Sequence, residues 1–158
     1  MNKVMQKKYF FILSFLLILS QAWAHKATKQ PLETLQTAVH SQSFEAIPNY
    51  LGEPYLISDL VANFEMGTTE VIMAVSYDGK TWKAVDREAL HFFNRSSYEN
   101  TLIHFEGAHL ADILKKMEGE EVHFRTYYKH NGQMQDLTRH TIAKKTLLQW
   151  YKQAKRSI

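Results

Sequence analysis

The stretch Glu70–Val85, EVIMAVSYDGKTWKAV, places a turn dipeptide between two β-rich runs. Asp78-Gly79 at that position predicts a two-residue type I′ hairpin turn, because glycine and aspartate tolerate the positive φ angles it needs. In that register Val75 opposes Trp82 and Met73 opposes Ala84. Val71, Met73, Val75, Trp82 and Ala84 then share one face, with Ile72, Ala74, Ser76, Thr81 and Lys83 on the other. A second unit of the same kind follows: Glu121–Lys129 and Gln133–Thr141 flank Asn131-Gly132. Two hairpins make an antiparallel sheet with one face on a core the expected framework.

Around that framework the periodicity predicts helices. Leu32, Leu35 and Val39 lie at helical spacing after Pro31, and Phe44–Leu51 reads as a second short helix ended by Gly52 and Pro54. Tyr55–Phe64 suits another strand, and Asp86–Phe93 has a short helical pattern. Asn94–Asn100 reads as a polar loop and Thr101–Phe105 as a strand. Ala108–Met117 is a helix ending at Gly119, and Ile142–Arg156 a closing helix with Ala143, Leu147, Trp150, Tyr151 and Ala154 inward. Together these predict one small α+β domain over residues 31–158: a hairpin-built antiparallel sheet packed by N-terminal, middle and C-terminal helices. A cone-shaped, nuclear-transport-factor-like shell and a cystatin-like wrap both fit that order. Ser76–Trp82 resembles the Asp-box hairpin of sialidase-type propellers, but the unit is not repeated as a propeller requires.

The first 24 residues read as a secretory signal peptide. Lys3, Lys7 and Lys8 precede the apolar run Tyr9–Leu19, and Ala22-Trp23-Ala24 forms the A-x-A cleavage site. The run is too short to span a bilayer, which takes about 20 residues, and no later stretch approaches that length. Cleavage after Ala24 gives a periplasmic or secreted protein that begins with a mobile polar leader, residues 25–30. It also removes the basic excess. The net charge of +3 belongs to the three signal lysines, and the remainder has an acidic first half and a basic second half. That balance argues against nucleic acid as a partner. The chain has no cysteine, so disulfide, thiolate-metal and thiol-nucleophile chemistry are excluded.

Chemistry-bearing side chains form two groups. His104, Glu106 and His109 suit a divalent transition metal if a turn at Gly107 brings His109 back beside the strand, although the spacing matches no metalloenzyme signature. On the second hairpin, the two-residue turn pairs His123 with His140, Arg125 with Thr138 and Tyr127 with Asp136. His123, Arg125, Tyr127, Asp136 and His140 would then share a face able to hold an anion or supply acid–base groups. His25, as a mature N-terminus, is a further candidate copper ligand. The lysines of the closing helix, with Trp150 and Tyr151, suit an acidic partner or membrane surface. No nucleophile elbow or glycine-rich phosphate loop occurs. The leading expectation is a small exported binding module without catalysis or cofactor, such as an inhibitor, immunity protein or secretion accessory, with a protein or small ligand as partner. A small hydrolase or isomerase with a polar pocket on the second hairpin is the alternative, and a His/Glu metal protein the second alternative.

Overall fold

Why residues 38–48 form a strand is visible in what they bury. Phe44 and Ala46 pack on the core, and Gln42 points the same way. Its amide donates to Ser58 Oγ and Thr126 Oγ1, both at 3.1 Å, and its carbonyl accepts from the Thr138 hydroxyl. A polar residue at an inward position is acceptable because each of its bonds is made. The segment is therefore β1 (Ala38–Pro48), where helices were expected. The computed structural model describes residues 36–91 and 97–157. The signal segment 1–24, the leader 25–30 with His25, and the expected helix start at Pro31 lie outside those residues.

The remaining elements are β2 (Pro54–Glu65), β3 (Thr68–Ser76), β4 (Lys83–Ala89), β5 (Ser97–His109), α1 (Leu110–Lys116), β6 (Glu121–His130), β7 (Gln133–Ala143) and α2 (Lys144–Arg156). The strands form two antiparallel sheets: sheet 1 in the order β1-β2-β5 and sheet 2 in the order β4-β3-β6-β7. Strands make up 62% of the described residues and helices 17%. The expected α+β class, with one sheet backed by three groups of helices, is thus overturned, and with it the cone-shaped and cystatin-like alternatives. The N-terminal segment is a strand because Val39, Phe44 and Ala46 pack on the core, and residues 86–89 are one because they pair with Glu70–Met73 of β3.

The sheets share one interior. Leu56, Leu60, Phe64 and Phe105 of sheet 1 and Val71, Met73 and Phe124 of sheet 2 are all at or near zero exposure. Leu110 and Ile113 of α1 and Leu147 of α2 add to the same cluster. Sheet edges meet in pairs, β4 beside β5 and β1 beside β7. Each seam is held by a side chain. Asp86 Oδ2 accepts the backbone N–H of Glu106 at 2.8 Å, and Gln42 joins β1 to β6 and β7. Covering edge groups this way removes a template for pairing with other chains. No helix among the described residues is long and apolar enough to cross a membrane.

Both hairpins depart from the simple register. Asn131 and Gly132 do have the positive φ angles, 49° and 80°, of a type I′ turn, and Tyr127 pairs with Asp136. Beyond that pair Leu137 is an extra residue, so Thr126 meets Thr138, Arg125 meets Arg139 and Phe124 meets His140. The bulge lets Leu137 pack on the core. In the first hairpin Val75 pairs with Lys83 and Ala74 with Ala84, which leaves Tyr77–Trp82 as a wider loop. Asp78 builds it: Oδ1 accepts from the Lys80 and Thr81 amides and the Ser76 hydroxyl, and Oδ2 from the Thr81 hydroxyl. The two-residue turn at Asp78-Gly79 is replaced because one carboxylate satisfies four donors in the wider form.

Candidate functional site

The β1–β2 connection is built to hold its tip still. Asn49 Oδ1 accepts the amides of Leu51 and Glu53, each at 2.9 Å. Its backbone N–H donates to the Glu53 carbonyl and its carbonyl accepts from Gly52, at 2.8 and 2.9 Å. Gly52 takes a φ of +77°, which lets the chain return into β2. Lys155 of α2 ties the base of the loop through Glu53 Oε1 at 2.9 Å, and that bond raises the pKa of the lysine. On this fixed turn Tyr50 is 94% exposed and Leu51 69%. Two large apolar side chains thus stand in water on a rigid backbone.

They rim a groove of about 490 Å³ on the outer face of sheet 1. Ile47, Tyr55 and Ile57 form its apolar floor, and His104, Glu106 and His109 its polar side. Register explains the grouping. Glu45, Ile57 and Glu106 lie in one row across β1, β2 and β5, and Ser43, Asp59 and His104 in the next. His104 Nδ1 lies 2.6 Å from Asp59 Oδ1, which fixes the ring, and His109 meets the Tyr55 ring edge-on at 5.1 Å.

Gly107 makes this possible as a bulge, not as a turn. The register slips between Leu56 and Ile57, so Ile57 faces Glu106 and Leu56 faces Ala108. Both Glu106 and His109 therefore reach the outer face although they are three residues apart. A Cβ at Gly107 would lie 2.5 Å from the Leu56 carbonyl oxygen, closer than packing allows. His104, Glu106 and His109 line one groove, yet the described residues contain no group of three or more His, Asp and Glu side chains placed to hold a metal ion.

The five residues singled out on the second hairpin are divided. His123 faces the Tyr77–Trp82 loop, near Gly79, and bonds Thr141 Oγ1 at 3.0 Å. It edges an open cleft of about 610 Å³ with Asp78, Lys80, Glu118, Glu120 and Glu121. Asp78 is held well below the usual carboxylate range by the Thr81 and Lys80 amides, so its charge is committed to its own loop. Arg125, Tyr127 and Asp136 stay together on the outer face of sheet 2. Asp136 accepts from Arg125 Nε and, at 2.9 Å, from Arg139, and these bonds lower its pKa. Arg125 also lies over the Tyr127 ring, 5.4 Å from its centroid. His140 is turned inward by the Leu137 bulge and packs edge-on against Phe44 at 5.2 Å. Burial pushes its imidazole below the ordinary value.

On α2, Trp150 and Tyr151 pack against the core, while its five cations accompany no carboxylate in the helix. The residues that make the groove distinctive, Tyr50, Leu51, Tyr55 and Ile57, were absent from the sequence-derived candidates. Asn49 and Gly52, turn-formers on either side of Tyr50-Leu51, were the available signal. Compared with family models, curated proteins and solved structures, the chain matches none.

Proposed function

We propose that the chain is a small exported binding module without catalysis, acting in the periplasm or outside the cell, with the groove on sheet 1 as its contact surface. The observation that carries this reading is the braced β1–β2 loop. Asn49 accepts three hydrogen bonds and donates one, and these hold Tyr50 and Leu51 in water beside a groove of about 490 Å³. Exposed large apolar groups gain nothing for folding, but a preorganised aromatic anchor avoids ordering cost on association. The size and export signal suit an inhibitor, an immunity protein or a secretion accessory. Against the hydrolase alternative stands the inward turn of His140, which separates it from Arg125, Tyr127 and Asp136.

The test is a photo-reactive phenylalanine analogue placed at Tyr50 in the native host, with a control at Met134 on β7. A discrete cross-linked product from position 50 and none from 134 is expected. Equal or absent products at both positions contradict the reading. Amino-terminal sequencing of the accumulated protein tests export: His25 as the first residue is expected, and a retained Met1 refutes cleavage.

A further inference from the structure

The charges of sheet 1 are one-sided. Its three strands carry Glu45, Asp59, Glu65, Glu99 and Glu106, and not one lysine or arginine. Beside the groove, Asp59 is engaged with His104, whereas Glu106 of its lining and Glu45, opposite Ile57 on the neighbouring strand, take part in no ion pair among the described residues. Register sets these two carboxylates on either side of Ile57 in a single row. At a strand spacing of about 4.8 Å they bracket a strip roughly 10 Å wide with an apolar floor. Tyr50 and Tyr55 line the same groove, and the Tyr55 ring also meets His109 edge-on.

We propose that this groove binds a cationic segment of a partner polypeptide, one that carries arginine or lysine beside an apolar residue. This rests on the binding reading above and names its partner class. The carboxylates of Glu45 and Glu106 receive the cationic heads. Ile47 and Ile57 receive the aliphatic stems, which bury along apolar surface while the charge stays at the rim. The tyrosine rings suit a guanidinium or ammonium group, since a cation over an aromatic face is attracted by its quadrupole. Leu51 and Tyr50 pack against the neighbouring apolar residue. An anionic lipid surface is disfavoured, because every fixed charge of the sheet repels it. The acidic cleft beside His123 fits less well: it contains Lys80, and its Asp78 already accepts four hydrogen bonds.

The probe is the capped peptide Gly-Arg-Leu-Arg-Gly, compared with versions carrying citrulline or glutamate in place of arginine. Each is titrated by NMR into the protein in the form its host accumulates. The arginine peptide should move the amide signals of residues 49–53, 57 and 104–109, and bind at least about tenfold more tightly than the citrulline peptide. The Glu45→Gln, Glu106→Gln double variant should lose that preference with its spectrum otherwise folded, and Arg139→Ala should keep it. Equal binding of the citrulline peptide overturns the charge assignment while leaving the groove as a binding surface. Shifts confined to residues 118–123, or no binding of the arginine peptide at millimolar concentration, overturn the assignment outright. A dimer in sedimentation that the double variant abolishes overturns the separate partner and makes a second copy the occupant.

Discussion

The outer faces of the two sheets solve the same problem in opposite ways. On sheet 2, Asp136 joins Arg125 and Arg139, Arg125 lies over Tyr127, and Glu70 pairs with Arg87. Beneath them Ile72 and Ala74 are only 3% and 1% exposed, although they point away from the main core. That face pairs Asp136 and Glu70 with arginines of its own strands and buries Ile72 and Ala74, leaving Met134 47% exposed on its edge strand. Sheet 1 leaves Glu45 and Glu106 unpaired among the described residues and holds Tyr50, Leu51 and Ile47 in water. A face completed within the chain is a solvated exterior. One left incomplete on a rigid backbone fits a partner that completes it.

Breaking the support of the incomplete face should have the largest effect. Gly107→Val forces a side chain against the Leu56 carbonyl, and should cost about 3 kcal/mol in urea unfolding while closing the groove's His109 side. A fully stable Gly107→Val protein would refute the bulge. Next comes the seam opposite. Gln42→Leu removes three hydrogen bonds to Ser58, Thr126 and Thr138, and leaving those hydroxyls unpaired should cost about 2 kcal/mol. An unchanged denaturation midpoint would mean the β1–β7 seam closes without it.

A smaller, pH-dependent effect belongs to the sheet 2 side. His140 has a folded pKa below its unfolded one, so the unfolded state binds the extra proton. Stability should therefore fall as pH drops through about 6.5 and below, and rise to a plateau above it. His140→Phe should flatten that slope, and an unchanged slope would assign it elsewhere. The smallest effect should come from the completed face itself. Arg139→Ala removes one exposed bond to Asp136 and should cost no more than about 0.5 kcal/mol, checked by the same urea titration.

The comparison also shows where sequence suffices. Turn chemistry sets local register: Asn131-Gly132 defines the second hairpin as far as Tyr127 and Asp136. One bulge later the register is lost, because nothing in Asp136-Leu137-Thr138 announces an extra residue. The inner row Gln42, Phe44, Ala46 alternates as a strand should, but a glutamine at an inward position hides the pattern. Only the three hydroxyls brought by distant strands explain it. His104, Glu106 and His109 are recognisable as neighbours, since they sit within six residues. Tyr50, Leu51, Tyr55 and Ile57 join them only through β2–β5 pairing across about fifty residues of chain, which no local signal encodes.

The most direct test of the groove uses a photo-reactive side chain at Ile47, in the wild-type protein and in a Tyr50→Ala, Leu51→Ala variant. Because both tip residues are exposed, the variant should keep its melting temperature within about 2 °C. It should nevertheless lose the cross-linked product formed in the native host. An undiminished product from the variant would contradict the assignment of this face as the binding surface.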